Sequence, residues 1–325
     1  MEYQLLLEHR GAIYDATPIL EEGVRWEAGI QGEAGRLYFS IVRDGVVNFV
    51  EGGAVRFWVD GRLIFSGWVM TKERTSDQII FVTACDQLFY LAKNKETMIY
   101  QGKTATSVIR TIAQNHQMPI GELSESGWVI PQRIEEGQSL LDMIFSALEI
   151  TKQATGREFF FFDRGGMLTL KEREELIVPI ILRSDGGIKD YRYKTDISKD
   201  TYNTVKLYQA GRKESERLAY HAQKADKVKE WGQLQYYWHV PFELNQAQLK
   251  EIADQILKEK CRVVKRLTIE NINGDAMIYA GDSIYTEIPE LSEISLVGLA
   301  VVERCTHIFR DGAHTMRAEI RIEES

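Results

Sequence analysis

The stretch "VRFWVDGRLIFSGWV", residues 55–69, sets two apolar runs on either side of a single Asp60-Gly61 pair. Asp-Gly tolerates the positive backbone dihedrals of a two-residue turn, and Phe57, Val59, Leu63 and Phe65 alternate with period two, so the stretch predicts a twisted antiparallel hairpin. The same signature returns at "IVRDGVVNF" (41–49), "FFFFDRGGMLTL" (159–170), "ILRSDGGIKDYRY" (181–193) and "HIFRDGAHTMRAEIRI" (307–322), each a β-rich run broken at a Gly-containing turn. The chain is built from hairpins.

Working outward, residues 1–93 read as a first β-domain, closed by the strand in "QIIFVTACDQLFYLAK" and a short helical exit. The texture then changes. "TATSVIRTIAQNHQ" (104–117) predicts a helix behind a Thr cap, with Val108, Ile109, Ile112 and Ala113 on one face, and "SLLDMIFSALEITKQATG" (139–156) predicts another that stops at Gly156. With the hairpin from Glu158 to Lys171 they make residues 94–186 a small α/β insert. Residues 187–325 return to strands, with one amphipathic helix at 245–260 that opens on Asn245 and Gln248 as a capping pair and is expected to lie over a barrel or sandwich. A shorter helix, "KADKVKEWG" (224–232), feeds the strand "LQYYWHV". The fold class is mainly β. "FSGWVMTKER" (65–74) and "LVGLAVVER" (296–304) echo each other across the two β-domains, as a duplication would leave behind.

With 325 residues and 44% apolar side chains, the length suits about two domains of ~100–200 residues. The first residues lack a basic, then apolar, leader pattern, and no window approaches ~18 apolar residues, so neither a signal peptide nor a membrane span is expected. Cys85, Cys261 and Cys305 are odd in number and far apart, which suits buried free thiols. A net charge of −8 argues against a duplex-binding surface and sequence-specific nucleic acid recognition, which need clustered Lys and Arg.

The chemical motifs fail on inspection. "QGKTATS" imitates a phosphate-binding loop, but position 97 is Thr where Gly is required. "GDSIY" (281–285) ends on Tyr285 where a nucleophile elbow needs Gly, and reads as strand entry after a Gly-Asp turn. Cys305 and His307 share a strand face and could begin a zinc site, yet no paired Cys or His spacing supplies further ligands. A core thiol beside a half-buried His is expected instead, and no catalytic, cofactor or metal residue is assigned. Tyr236, Tyr237 and Trp238 could form a stacking platform; alternation puts Tyr236 and Trp238 on one face and Tyr237 on the other, and the three are assigned to core plus a subunit interface.

The order of parts, with "DISKDTYNTVKLY" (196–208), a helix ending in "EWG" (230–232), a packed helix and the closing "GDSIYTEI" and "LVGLAVVERCTHIF" runs, resembles the baseplate hub proteins of contractile phage tails and phage-tail-like bacteriocins, the late control gene D family that includes PBSX-like prophage hubs. The resemblance spans nearly the whole chain. It implies two tandem tail-tube-like antiparallel β-barrel domains with the α/β insert between them, and part of 176–195 returning to the first barrel. It also implies a homotrimer that closes a pseudo-sixfold ring, with the tail tube protein, the central spike protein, the tape-measure protein and other baseplate proteins as partners. Such a protein is structural, takes no cofactor, assembles in the bacterial cytoplasm and ends in the baseplate of the released phage tail or tailocin. Repeated hairpins suit this, because strands of neighbouring barrels can continue one another's sheets and leave no exposed edge. The alternatives are a tail-associated cell-wall hydrolase, which needs a convergent acid, nucleophile or metal site, and a carbohydrate-binding β-protein using the Tyr and Trp platform.

Overall fold

The computed structural model describes residues 1–30, 32–183, 190–209, 218–240, 244–288 and 297–322, and its backbone is mainly β, as the hairpin pattern requires. The first seven strands are β1 (Tyr3–His9), β2 (Ala12–Asp15), β3 (Leu20–Gly29), β4 (Arg36–Val42), β5 (Ala54–Val59), β6 (Arg62–Arg74) and β7 (Ile79–Cys85). The opening hairpin is β5–β6, turned by Asp60 at φ +45 and Gly61 at φ +75. An extra residue at Ile64 shifts the register between Phe57↔Phe65 and Trp58↔Leu63. Ile64 and Phe65 are therefore both buried while Leu63, expected inside, is only half-buried.

The "IVRDGVVNF" hairpin does not form. β4 ends at Val42, and the Asp44 carboxylate accepts the Val46 and Val47 amides at 2.8 and 2.9 Å. That side-chain turn takes the local amides a returning strand would need. The chain runs without a strand until Ala54, and β4 pairs instead with β3 and β7.

The insert begins with α1 (Leu88–Lys93), β8 (Lys95–Thr104) and α2 (Ala105–Asn115), followed by β9 (Ile120–Leu123), β10 (Val129–Ser139), α3 (Leu140–Thr155), β11 (Phe159–Arg164) and β12 (Met167–Glu172). Thr104 and Ser139 cap α2 and α3 by accepting the amides of Ser107 and Asp142, and Gly156 closes α3 in the left-handed conformation. Ile109, Ile112, Met143 and Ile144 are fully buried with Leu168 and Leu170, so the insert has its own core.

The chain then gives β13 (Ile177–Arg183) and β14 (Asp190–Asp196). Part of 176–195 was expected in the first barrel; it returns to the large sheet beside second-half strands, because β13 pairs with β19 (Ser283–Glu287) and β14 with β18 (Val264–Asn273). The turn of the "ILRSDGGIKDYRY" hairpin lies outside the described residues. Next comes a separate lobe: β15 (Thr204–Gln209), β16 (Leu218–Gln223), α4 (Ala225–Trp231), β17 (Gln235–His239) and α5 (Gln246–Lys260). The Asn245/Gln248 capping box is made in both directions. The buried stripe of α5, Leu249, Ile252, Ala253, Ile256 and Leu257, packs on Val205 and Leu207 of this three-stranded sheet, together with Ile150 of α3, and not over the large sheet.

The chain ends with β20 (Val297–Arg310) and β21 (Ala313–Ile322), joined by Asp311 and Gly312 at positive φ. Among the described residues the large sheet has 13 strands in the order β14-β18-β21-β20-β3-β4-β7-β6-β5-β1-β2, with β19 and β13 branching from β20. It curls: Phe57 of β5 lies 5.1 Å ring to ring from Phe309 of β20, although four strands separate them along the sheet. No helix among the described residues is long and apolar enough to cross a membrane.

Candidate functional site

The aromatic strand divides as alternation demands. Tyr236 and Trp238 pack against the lobe's core, and only Tyr237, 54% exposed, stands on the outer face. The Tyr236 hydroxyl accepts from Gln153 Nε2 at 2.7 Å and its ring meets Tyr202 edge-on at 5.2 Å. Burial, with Glu149 nearby, pushes its phenol up to about 12. Tyr236 thus ties the lobe to α3 while Trp238 packs on the lobe's core, and the three rings do not lie together as a flat stacking platform for a sugar. The motif residues around this strand meet one another: buried Asn203 donates to the carbonyls of Lys227 and Gly232 at 3.1 and 2.6 Å and accepts the Leu234 amide at 2.9 Å. The Asn203 side chain thus ties "YNTV" to "EWG".

Cys305 is fully buried, and burial pushes its thiol up to about 12. His307, expected half-buried, is also fully buried, because Trp26 of β3 stacks on it at 4.8 Å. Its Nε2 faces the Ile278 carbonyl at 3.1 Å and must donate, which leaves Nδ1 to accept from His314 Nε2 at 3.0 Å. Burial, with His314 adjacent, holds His307 down at about 3, so the ring is neutral and both nitrogens are committed. Among the described residues no group of three His, Cys, Asp or Glu side chains could hold a metal ion.

A pair of buried acids was missed by sequence reasoning. Asp86 accepts the amides of Gly35 and Leu88 at 2.8 and 2.9 Å, and Asp163 accepts the Gly166 amide at 2.8 Å and the Gln87 side-chain amide. Burial raises both, Asp163 to about 6, and Asp86 is raised further by the charge of Asp163. The cavity they line measures about 20 Å³, room for no more than a water, so this is a joint between the first β-unit and the insert rather than a place for a substrate. Its folded pKa being raised, Asp163 contributes stability below its ordinary 3.8 that is lost as pH rises through about 6. Asp163→Asn should therefore raise stability at pH 7 by about 1–3 kcal/mol, with Gln87 Oε1, which has no partner, accepting from the new amide. Thermal melts between pH 4 and 7 check this; a loss at pH 7 would contradict it.

A second joint holds α3, the insert sheet, α5 and the large sheet together. Glu158 is bound by Lys152 at 2.8 Å and Arg321 at 2.9 Å, Lys152 also by Glu259 at 2.7 Å, and Arg266 binds Glu303 at 2.7 Å. These line a cavity of about 280 Å³. These six charges pair with one another, and the rest of the lining mixes both signs with Glu149, Asp200, Lys260 and Arg262, so the bodies are locked without a single-sign surface for a ligand.

What the fold does offer is repetition. In β6 the residue Met70 is skipped between Val69↔Ala84 and Thr71↔Thr83; in β20, Glu303 is skipped between Val302↔Ile320 and Arg304↔Glu319. Val69 exchanges backbone bonds with Gly52 and Gly53 at 2.8 and 2.9 Å, and Val302 does the same with Gly281 and Asp282 at 2.8 and 2.9 Å. The run β5-β6-β7-β4-β3 is thereby matched by β19-β20-β21-β18-β14, each neighbouring pair antiparallel in both. The sixth strand breaks the repeat, since β1 joins β5 antiparallel and β13 joins β19 parallel. The echoed stretches do fall on the matching strands, but their shared letters stand two to three positions out of structural register. The two units are welded edge to edge, β3 pairing with β20 from Val24↔Phe309 to Gly29↔Arg304. Their outward edges, β2 and β14, end the sheet among the described residues.

A 325-residue chain in which one sheet pattern occurs twice is similar to known tail proteins. The tail protein of Neisseria meningitidis MC58 shares the fold with a TM-score of 0.73 over 99% of this chain and 97% of its own, at 12% identity. In sequence, the uncharacterized protein YqbQ of Bacillus subtilis (strain 168) is 31% identical over 273 residues, 83% of this chain and 81% of its own. The phage-like element PBSX protein XkdQ of the same organism is 30% identical over 273 residues, with the same coverage. None of these is described as an enzyme. Residues 24–321 match the sequence model of the YQBQ-like family, and the chain belongs to that family.

Proposed function

We propose that the protein is the baseplate hub of a contractile phage tail or tailocin. Three copies form a pseudo-sixfold ring that joins the hexameric tail tube to the trimeric central spike and nucleates the tube. The observation that supports this is the doubled sheet: three chains with two like units each offer six, the number a hexameric tube needs, while keeping the threefold symmetry of a spike. A first tube ring docking on such a surface avoids the entropy of six free subunits meeting in solution. In this reading the chain assembles in the bacterial cytoplasm and ends in the baseplate, beside the tape-measure protein and other baseplate proteins, and the outer face of β17 with Tyr237 is one contact surface. The partition into 1–93, 94–186 and 187–325 belongs to the same reading, with the lobe at 204–260 carried by the second unit.

Deleting the gene from its tail cluster and counting particles by electron microscopy tests it. Straight, fixed-length tubes attached to spikes should disappear and return on complementation. Normal numbers of such tubes in the deletion would contradict the proposal.

A further inference from the structure

The internal repeat specifies an interface that a single chain leaves open. Within the chain, β3 lies antiparallel along the outer half of β20, from Arg304 to Phe309. The matching half of β6, Thr71–Arg74, has β7 on one side, and among the described residues its backbone makes no bond on the other. The strand that matches β3 is β14, whose outer edge ends the sheet among the described residues. Each free edge is thus the counterpart of one side of the β3–β20 joint. We infer that β14 of one protomer pairs antiparallel with β6 of the next, repeating that joint between chains. This rests on the ring reading above and names the surfaces that close it.

The register follows from the repeat. Leu37, opposite Ala84, matches Leu267, opposite Ile320, and the partners of these leucines on the next strand are Trp26 and Tyr193. Val69 matches Val302. In the joint already made, Glu27 faces Thr306; one step from Tyr193 and four from Val69, the equivalents are Lys194 and Glu73. Across the interface Lys194 therefore faces Glu73, with Tyr193 facing Arg74 and Asp196 facing Thr71. A cation meets an anion at the centre of the pairing, which favours this register. Lys194 is 60% exposed and leans on Asp196 at 2.6 Å in the single chain, while Glu73 is exposed.

The loop beside β6 does not block the edge. Its Phe49 carbonyl accepts Lys72 Nζ at 2.6 Å, and the matching Ile278 carbonyl accepts from His307 at 3.1 Å in the unit where the edge is occupied. Both loops sit in the same place, held by the same Val69 and Val302 bonds. Bare edges of this kind invite further strands, and a second copy of this chain carries the strand that fits.

Lys194→Cys combined with Glu73→Cys in the full chain tests the register, since Cys85, Cys261 and Cys305 are buried. Mild oxidation should give covalently linked dimers and trimers on non-reducing gels, and Lys194→Cys with Thr71→Cys should give several-fold less. Separately, Lys194→Glu or Glu73→Lys should each weaken ring formation about tenfold, and the two together should restore it. Native mass of the unaltered chain is read alongside. A trimer without the cross-link or the charge-swap rescue overturns the strand pairing and leaves the ring reading standing; a chain that never trimerises overturns both.

Discussion

Gly23→Ala should cost about 3–5 kcal/mol of stability, because two effects add. Gly23 sits at φ +85, and a Cβ there would lie 2.2 Å from the Phe309 carbonyl oxygen and 3.1 Å from Arg310 Cα. The backbone of β20 cannot retreat, since its other side is bound to β21. The substitution strikes the weld between the two units, where β3 meets β20. Gly61→Ala is the control: φ is +75 but nothing lies within 4 Å, so only the conformational cost of about 1–2 kcal/mol applies. Denaturant midpoints of the two variants decide; equal losses would mean the weld is looser than described.

Glu158→Ala should destabilise by about 3 kcal/mol or more, since removing one member of a buried ion cluster leaves its partners' charges behind. Lys152 keeps Glu259 at 2.7 Å, whereas Arg321 loses its 2.9 Å contact to Glu158 and stands 3.8 Å from Glu303. Burial pushes the Glu158 carboxyl up, yet Arg321 and Lys152 outweigh it and hold the group below its ordinary 4.5. A depressed folded pKa gives stability that is fully present above about pH 4.5 and is lost as pH falls through the folded value. Glu158→Gln should accordingly lose most of its deficit against the unaltered protein in acid. A deficit that stays constant from pH 7 to pH 3 would show that the carboxylate's charge is not what holds the joint.

Local signals carried most of the fold. Turn pairs at Asp60-Gly61, Gly165-Gly166 and Asp311-Gly312, and caps at Thr104, Ser139 and Asn245, act within a few residues and can be read from them. Asp44 shows the limit: the letters Asp-Gly are the same, but its carboxylate takes the Val46 and Val47 amides and the strand does not turn back. Tertiary facts escaped. His307 is buried by Trp26, and Glu158 is bound by Arg321, 163 residues away. The echo falls on the matching strands but in another register, because the positions that are equivalent in the two ladders, Val69 with Val302 and Leu37 with Leu267, hold generic apolar residues. Tyr236, Tyr237 and Trp238 were placed correctly by face, while the lobe that consumes two of them needs a parallel β15–β17 pairing that periodicity does not reveal.

The native mass of the full chain, measured alone at high concentration and again with tube and spike proteins co-expressed, decides whether three copies assemble. A species of three 37.3 kDa copies is expected, at least once the partners are present. A single copy under both conditions would contradict it.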